Sequence, residues 1–233
     1  MSAALDREIF TDGSYADIFR PDTSSDPFHA LYRRKRDDVL AALAQLPESS
    51  RILDLGGGMG RIAVPLAALH AVTLCDISKR MLDLAAANAQ RADAPDGHLI
   101  LRQLDAGKPL PFPTASFDAA VALDLLVHLP DPVATLRELR RVLRPTAVLL
   151  VDMTNSNPLW TLRYPRYVGR RPRRWLATWR GGGVLPDWQE IVHHHGRREF
   201  EQMLSDAGFR VSGRRDYGPR LSPKWFLRRC HPR

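Results

Sequence analysis

Arg51-Ile-Leu-Asp-Leu-Gly-Gly-Gly-Met-Gly60 is the stretch that decides how this chain folds. Ile52 to Leu55 reads as a short apolar strand with one acid, Asp54, near its end. A glycine cluster follows at once, and Arg61 to Leu69 then has the apolar spacing of a helix. Strand, glycine-rich turn and helix in that order mark an α/β sheet with its ligand over the carboxyl ends of the strands. Glycines in such a turn permit positive φ and let backbone N–H groups approach a ligand closely. The helix start adds free donors and a partial positive charge.

The spacing of the glycines narrows the ligand. A dinucleotide fingerprint needs G-x-G-x-x-G. Here Gly56 and Gly58 are followed by Gly60, and Arg61 stands at the third fingerprint position. The resulting acid-x-G-x-G-x-G run closely resembles motif I of the class I S-adenosylmethionine (SAM)-dependent methyltransferases. That resemblance implies SAM as the cofactor, a loop through Gly56, Gly58 and Gly60 against its methionine end, and Asp54 near its ammonium group. The family's usual Cys and Thr in this loop are Gly57 and Met59 here.

A chain of 233 residues is long enough for one α/β domain with its own core. The formal charge is +8, carried mostly by arginine, and permits an anionic substrate, nucleic acid or a membrane surface as partner. Cys75 and Cys230 form neither a disulfide framework nor a metal signature, and both lie in apolar runs as small buried hydrophobes. Met1 to Phe19 lacks the basic and apolar regions of a secretory signal. No apolar run approaches the ~20 residues of a membrane span. The expectation is a soluble, cytoplasmic protein.

Residues 1–48 read as a helical cover. Asp26-Pro27 has the form of an N-cap with proline at the first helical position. The helix is predicted to reach about Leu46, burying Leu31, Val39, Leu40 and Leu43 and exposing Arg33-Arg-Lys-Arg36 as a solvated face. By resemblance this cover lies over the cofactor, which makes Tyr15 a candidate SAM contact. Val72 to Asp76 is the second strand, and Asp76 at its end can accept hydrogen bonds from both ribose hydroxyls of a nucleoside. Ser78 caps the following helix, in which Met81, Leu82, Ala85 and Ala89 keep helical spacing. By resemblance Ile77 and Met81 pack against ribose and adenine, with plain core packing the alternative for Met81.

His98 to Leu104 is the third strand. The resemblance places Asp105 at the adenine amino group, with the N–H of Ala106 reading a ring nitrogen. Leu110-Pro-Phe-Pro-Thr-Ala-Ser-Phe-Asp118 resembles the loop that enters strand four in these enzymes, and Phe117 to Leu123 is that strand. It runs into Asp124-Leu-Leu-Val-His-Leu-Pro-Asp-Pro132. By resemblance Leu123 lies by the adenine, and Asp124 to His128 face the methyl group. An imidazole titrates near neutrality, so His128 is the candidate base for the nucleophile's proton, with a packing role as the alternative. Pro132 to Val142 is an amphipathic helix ended by Arg144-Pro145, and Thr146 to Val151 is strand five. Thr146 and Ala147 stand where the family has glycine.

Residues 153–196 depart from this pattern. Arg163, Arg166, Arg170, Arg171, Arg173, Arg174 and Arg180 occur with no acid between Asp152 and Asp187, and tryptophans and tyrosines are interleaved. By resemblance this insertion is the substrate lid. Its chemistry suits an anion, an aromatic substrate or a membrane interface, and a solvated insertion is the plain alternative. His193-His-His195 is not a metal site, because consecutive residues of an extended segment point to opposite faces. Arg197 to Ala207 is a helix, Phe209 to Arg215 strand six and Lys224 to Cys230 strand seven.

The reading is a single domain over 1–233: a Rossmann-like seven-stranded α/β sheet with helices on both faces and a terminal antiparallel hairpin. Residues 49–152 and 197–233 are the SAM-binding core, 1–48 the cover and 153–196 the lid. The function it implies is methyl transfer from SAM to an O, N or C nucleophile of a small anionic or aromatic metabolite. Lipid, quinone or RNA acceptors, and a SAM-binding regulator without turnover, remain alternatives. No metal is called for, no RNA-binding module is visible, and the oligomeric state stays open.

Overall fold

The computed structural model describes residues 27–155, 195–217 and 224–233. Seven strands form one sheet in the order β3-β2-β1-β4-β5-β7-β6. These are β1 (Arg51–Leu55), β2 (Ala71–Asp76), β3 (Leu99–Gln103), β4 (Phe117–Ala122), β5 (Leu143–Asn155), β6 (Phe209–Tyr217) and β7 (Lys224–Pro232). The first five run parallel. β7 inserts antiparallel between β5 and β6, so the chain ends in the expected hairpin.

The central strands are apolar because both of their faces are covered. Leu53 and Leu55 of β1 and Ala120 and Ala122 of β4 pack beneath α4 (Pro132–Val142) and α5 (Arg197–Asp206), whose Leu136, Leu139, Phe200 and Leu204 are fully buried. Ile52, Ala119 and Val121 face the other way. There they meet Val39 and Leu43 of α1 (Pro27–Leu43), the short α2 (Ala63–Leu66), and Leu82 and Ala85 of α3 (Lys79–Arg91). Cys75 and Cys230 are buried thiols, and burial pushes each up to about 12.

Three expectations change. The helix after the glycine loop is regular only over Ala63–Leu66. Pro65 lies in its middle and has no N–H to return to the preceding turn, while Val64 and Ala67 still donate to Gly60 and Ala63 at 2.9 Å. β5 starts at Leu143 rather than Thr146. Leu143 pairs with Phe117 and Val148 with Ala119, so residues 144–147 bulge opposite Asp118. Neither Thr146 nor Ala147 takes a positive φ, so glycine is not needed there.

The third change lies in α1. Its basic run is not a uniformly solvated face, because Lys35 is 1% exposed while Arg34 is open to solvent. Lys35, Val39 and Leu43 recur every four residues and share one face of the helix. That face lies against the sheet, and the lysine is carried in with it.

Candidate cofactor-binding cleft

The strand order reverses between β1 and β4, where an open α/β sheet leaves a crevice outside its carboxyl ends. Gly56, Gly58 and Gly60 turn the chain over that crevice at φ of +73°, +55° and +83°. The amides of Gly56 and Gly57 donate to the Cys75 carbonyl at 2.8 and 3.2 Å, which ties the loop to the neighbouring strand. Gly57 is needed for a different reason. A Cβ there would come within 2.6 Å of Asp54 Oδ2 and 2.8 Å of Leu74 Cγ. The family's usual cysteine would collide with the acid as it is placed here.

Asp54 is 2% exposed, and its Oδ2 accepts no hydrogen bond from the described residues. Burial pushes its carboxyl up to about 7, against the lowering effect of Arg61 and the Ala63 amide. A buried carboxylate oxygen without a donor is costly and suits a ligand that brings one. Asp76 takes the Gly58 amide on one carboxylate oxygen and the Ser78 amide on the other, both at 2.9 Å. Burial raises its pKa while these amides oppose the rise.

A cleft opens between α1 and the glycine loop. Its walls include Tyr32, Lys35, Asp54, Gly56, Leu123 and Asp124. Lys35 reaches down from α1 to the ends of two strands. Its Nζ lies 2.6 Å from Asp124 Oδ1 and is paired with Asp152 Oδ2. Asp152 Oδ1 in turn accepts the Asp124 amide at 2.7 Å. Burial disfavours the Lys35 ammonium, yet the two carboxylates outweigh it and raise its pKa. Asp152 must share that one cation, and burial pushes it up to about 6. Asp124 holds a positive φ of 55°, costly for a residue with a side chain. Arg61 stacks over the Tyr32 ring at 4.9 Å and lies 3.8 Å from Asp124 Oδ2.

Of the candidate site residues, Asp54, Gly56 and Leu123 thus border the cleft itself. Gly58 and Asp76 continue from it through their mutual hydrogen bond. Ile77 is half-buried and its carbonyl accepts from Gln103 Nε2 at 3.0 Å. Met81 is buried against Met59, with Tyr32 and Leu84 beside them, an arrangement that core packing explains by itself. Asp105 Oδ1 takes the Gly107 amide at 2.9 Å, and the Ala106 carbonyl accepts from the Thr135 hydroxyl at 3.0 Å. His128 ends a 3-10 turn, Leu126–His128, and is half-buried away from the cleft walls. Tyr15 and nearly all of the lid lie outside the described residues. His195, at the lid's end, pairs with Glu199 at 2.7 Å. No group of side chains among the described residues could hold a metal ion. No helix among them is long and apolar enough to cross a membrane.

Sequence reasoning missed Lys35, Asp124 and Asp152 as a unit. The signals were present: Lys35 falls on the 35/39/43 stripe, and Asp152 closes the apolar run Val148–Val151. Residues 53–151 match the family model described as a methyltransferase domain. The chain is 38% identical over 110 residues to the 27-O-demethylrifamycin SV methyltransferase of Amycolatopsis mediterranei, covering 46% of this chain and 40% of that protein. It is 31% identical over 194 residues to the O-methyltransferase resE of Aspergillus sclerotiorum, covering 81% of this chain and 65% of that one. The chain therefore spans only part of the curated relatives it matches. Among solved structures, the magnesium protoporphyrin IX methyltransferase of Synechocystis superposes with a TM-score of 0.73 at 20% identity, over 98% of this chain and 99% of that one. At that identity the likeness speaks to the fold.

Proposed function

We propose, from a chain whose residues 53–151 match the model of a methyltransferase domain, an enzyme that moves the methyl group of SAM to a hydroxyl of a small aromatic or anionic metabolite. The observation that carries the cofactor reading is the buried Oδ2 of Asp54, which has no donor among the described residues, at the wall of a glycine-lined cleft. That oxygen fits the ammonium of a bound amino acid moiety. Asp76 carries the amides of Gly58, Ser78 and Ile77 on its two oxygens, and a carboxylate's remaining acceptor capacity is available to a ribose hydroxyl. The hydroxyl as acceptor is supported by the two relatives, both named for O-methylation.

When bound, SAM supplies an electrophilic methyl on a sulfonium, so the protein's own task is positional. The glycine loop and Asp54 hold the amino acid end, Asp76 the ribose, and Asp105 with the Ala106 amide the adenine. α1 closes the cleft against water through Lys35. His128, which is not among the residues that line the cleft, is the candidate base for an acceptor whose pKa lies well above ambient pH.

Titration calorimetry with SAM and with NADH tests the cofactor. SAM is expected to bind, and Asp76→Ala is expected to weaken it by roughly 1.5–3 kcal/mol and also to lower the melting temperature, because the Gly58 and Ser78 amides lose their acceptor. Binding of NADH but not SAM would end this reading. Labelled SAM offered with hydroxylated aromatics tests the acceptor: label recovered on carbon or nitrogen would exclude the hydroxyl. In the same assay His128→Ala should lower kcat by about 10²–10⁴-fold if the imidazole is the base. A kcat within a few-fold of wild type would remove it from that role.

A further inference from the structure

Two residues of opposite charge bracket the glycine loop. Asp54 stands near the end of β1, just before Gly56, and Arg61 follows Gly60 directly. Both line the cleft. Burial pushes the Asp54 carboxyl up and the Arg61 guanidinium draws it back, so the two charges act on each other across the loop. An acid and a base side by side on one wall suit one chemical group in particular. An α-amino acid carries an ammonium and a carboxylate on a single carbon, and each is held best by a hydrogen-bonding partner of opposite charge.

Lys35, Arg36 and Arg61 are the cations that line the cleft, and Arg61 is the one placed to take that carboxylate. Lys35 is 1% exposed, and its ammonium is held between Asp124 and Asp152. Arg36 Nε and Nη2 lie 3.1 and 3.0 Å from Asp37 Oδ1. The Arg61 side chain is 23% exposed, and its contact with Asp124 Oδ2, at 3.8 Å, is an ion pair longer than a hydrogen bond. A guanidinium carries five N–H donors in a planar fork that matches a carboxylate at two points. That fork is steadied from α1. It lies over the Tyr32 ring at 4.9 Å, and the ring is packed in turn against Met59 and Met81.

We propose that Arg61 receives the carboxylate at the amino acid end of the cofactor, with Tyr32 as the residue that positions it. This inference rests on the SAM reading above and adds a second contact to that of Asp54. The ammonium goes to Asp54 and the carboxylate to Arg61, so the two ends of the glycine loop read both charges of the amino acid. A ligand without the carboxylate forfeits a charge-assisted, bidentate contact. The same contact ties the cover to the bound cofactor, because Tyr32 belongs to α1 and Arg61 to the loop.

The test is calorimetric and needs no acceptor. Wild-type protein is titrated with SAM and with decarboxylated SAM, which keeps the ammonium and the sulfonium and lacks only the carboxylate. Wild type is expected to bind SAM about 10–100-fold tighter, the range of a hydrogen bond to a charged group. Arg61→Gln should shrink that ratio to within about 3-fold, by weakening SAM and sparing the decarboxylated ligand. Tyr32→Leu should shrink it in the same sense, while Tyr32→Phe, which keeps the ring face, should preserve it. The ratio is taken within each variant, with thermal melts alongside, so a loss of stability that weakens both ligands alike does not move it. A wild-type ratio near one would overturn the proposal while leaving the SAM reading intact. A ratio kept in Arg61→Gln, or one that collapses instead in Arg36→Gln, would do the same. Tyr32→Leu changes no charge and serves if Arg61→Gln does not fold: an unchanged ratio there also overturns the proposal. Binding of neither ligand by wild type would overturn both.

Discussion

Asp54 shows how one side chain can be tuned by a missing neighbour. The absent Cβ of Gly57 leaves space for its Oδ2, and the fully buried Leu74 lies at the same point. Its carboxyl titrates at about 7 in the folded chain against an ordinary 3.8. A folded pKa raised above the unfolded one means that the native state holds a proton the unfolded state has released. Stability of the ligand-free protein therefore falls as pH rises from about 4 to about 7. For an ammonium ligand the sign is opposite, because the ionised carboxylate is the form that binds it. SAM affinity is expected to rise between pH 5.8 and 7, with the ligand's α-amino group still protonated over that range. Calorimetry at the two pH values measures it, and Asp54→Asn should flatten the dependence while weakening binding.

At the scale of elements, α1 is attached to the sheet at two points along its length. Lys35 joins it to the ends of β4 and β5, while Asp38 accepts from the Tyr217 hydroxyl at 2.6 Å and pairs with Arg215 on β6. Replacing Lys35 by methionine keeps its length but leaves Asp124 and Asp152 buried without their cation. Breaking one side of such a pair typically costs about 3–5 kcal/mol. The orphaned carboxylates can escape part of that cost by taking a proton, so the loss should be larger at pH 8 than at pH 5. Urea unfolding of Lys35→Met and wild type at the two pH values checks this. A loss independent of pH would mean that packing of the stem, not charge, is what Lys35 contributes. The element that most departs from the family pattern, 153–196, is tested through its arginines. Neutralising Arg170, Arg171, Arg173 and Arg174 together should raise KM for the acceptor and spare the Kd for SAM. Sedimentation with anionic lipid vesicles then separates a soluble anion from a membrane surface as their partner: vesicle binding lost in the variant favours the membrane, and no change in either measurement means a solvated surface.

Across the whole molecule, the succession of strands and helices along the chain was legible because its signals are local. Asp-x-Gly-x-Gly-x-Gly after an apolar run, Ser78 as a cap whose hydroxyl accepts the Met81 amide, and Pro132 opening an amphipathic helix each act within a few residues. The parallel core follows from alternating strands and helices, while the terminal hairpin was implied by the resemblance to the methyltransferases. The acids at the ends of β1 and β2 were equally readable, since a strand end places its last side chain beside the crevice. The Lys35–Asp124–Asp152 cluster was not, because its members are 89 and 117 positions apart in pairing with Lys35. A basic run on a helix looks solvated until the sheet beneath it supplies two acids, and the energy of a buried charge depends on partners that no local window contains. For the same reason the bulge at 144–147 and the need for Gly57 emerged only in three dimensions. One depends on the register of β4 against β5, the other on the distance from a glycine to a carboxylate three residues earlier and to a leucine on the next strand. The sequence by itself determined the succession of strands and helices and the place of the glycine loop, through propensity and pattern. The tertiary structure alone decided which charges share that crevice, because Coulomb energy follows distance and burial rather than position along the chain.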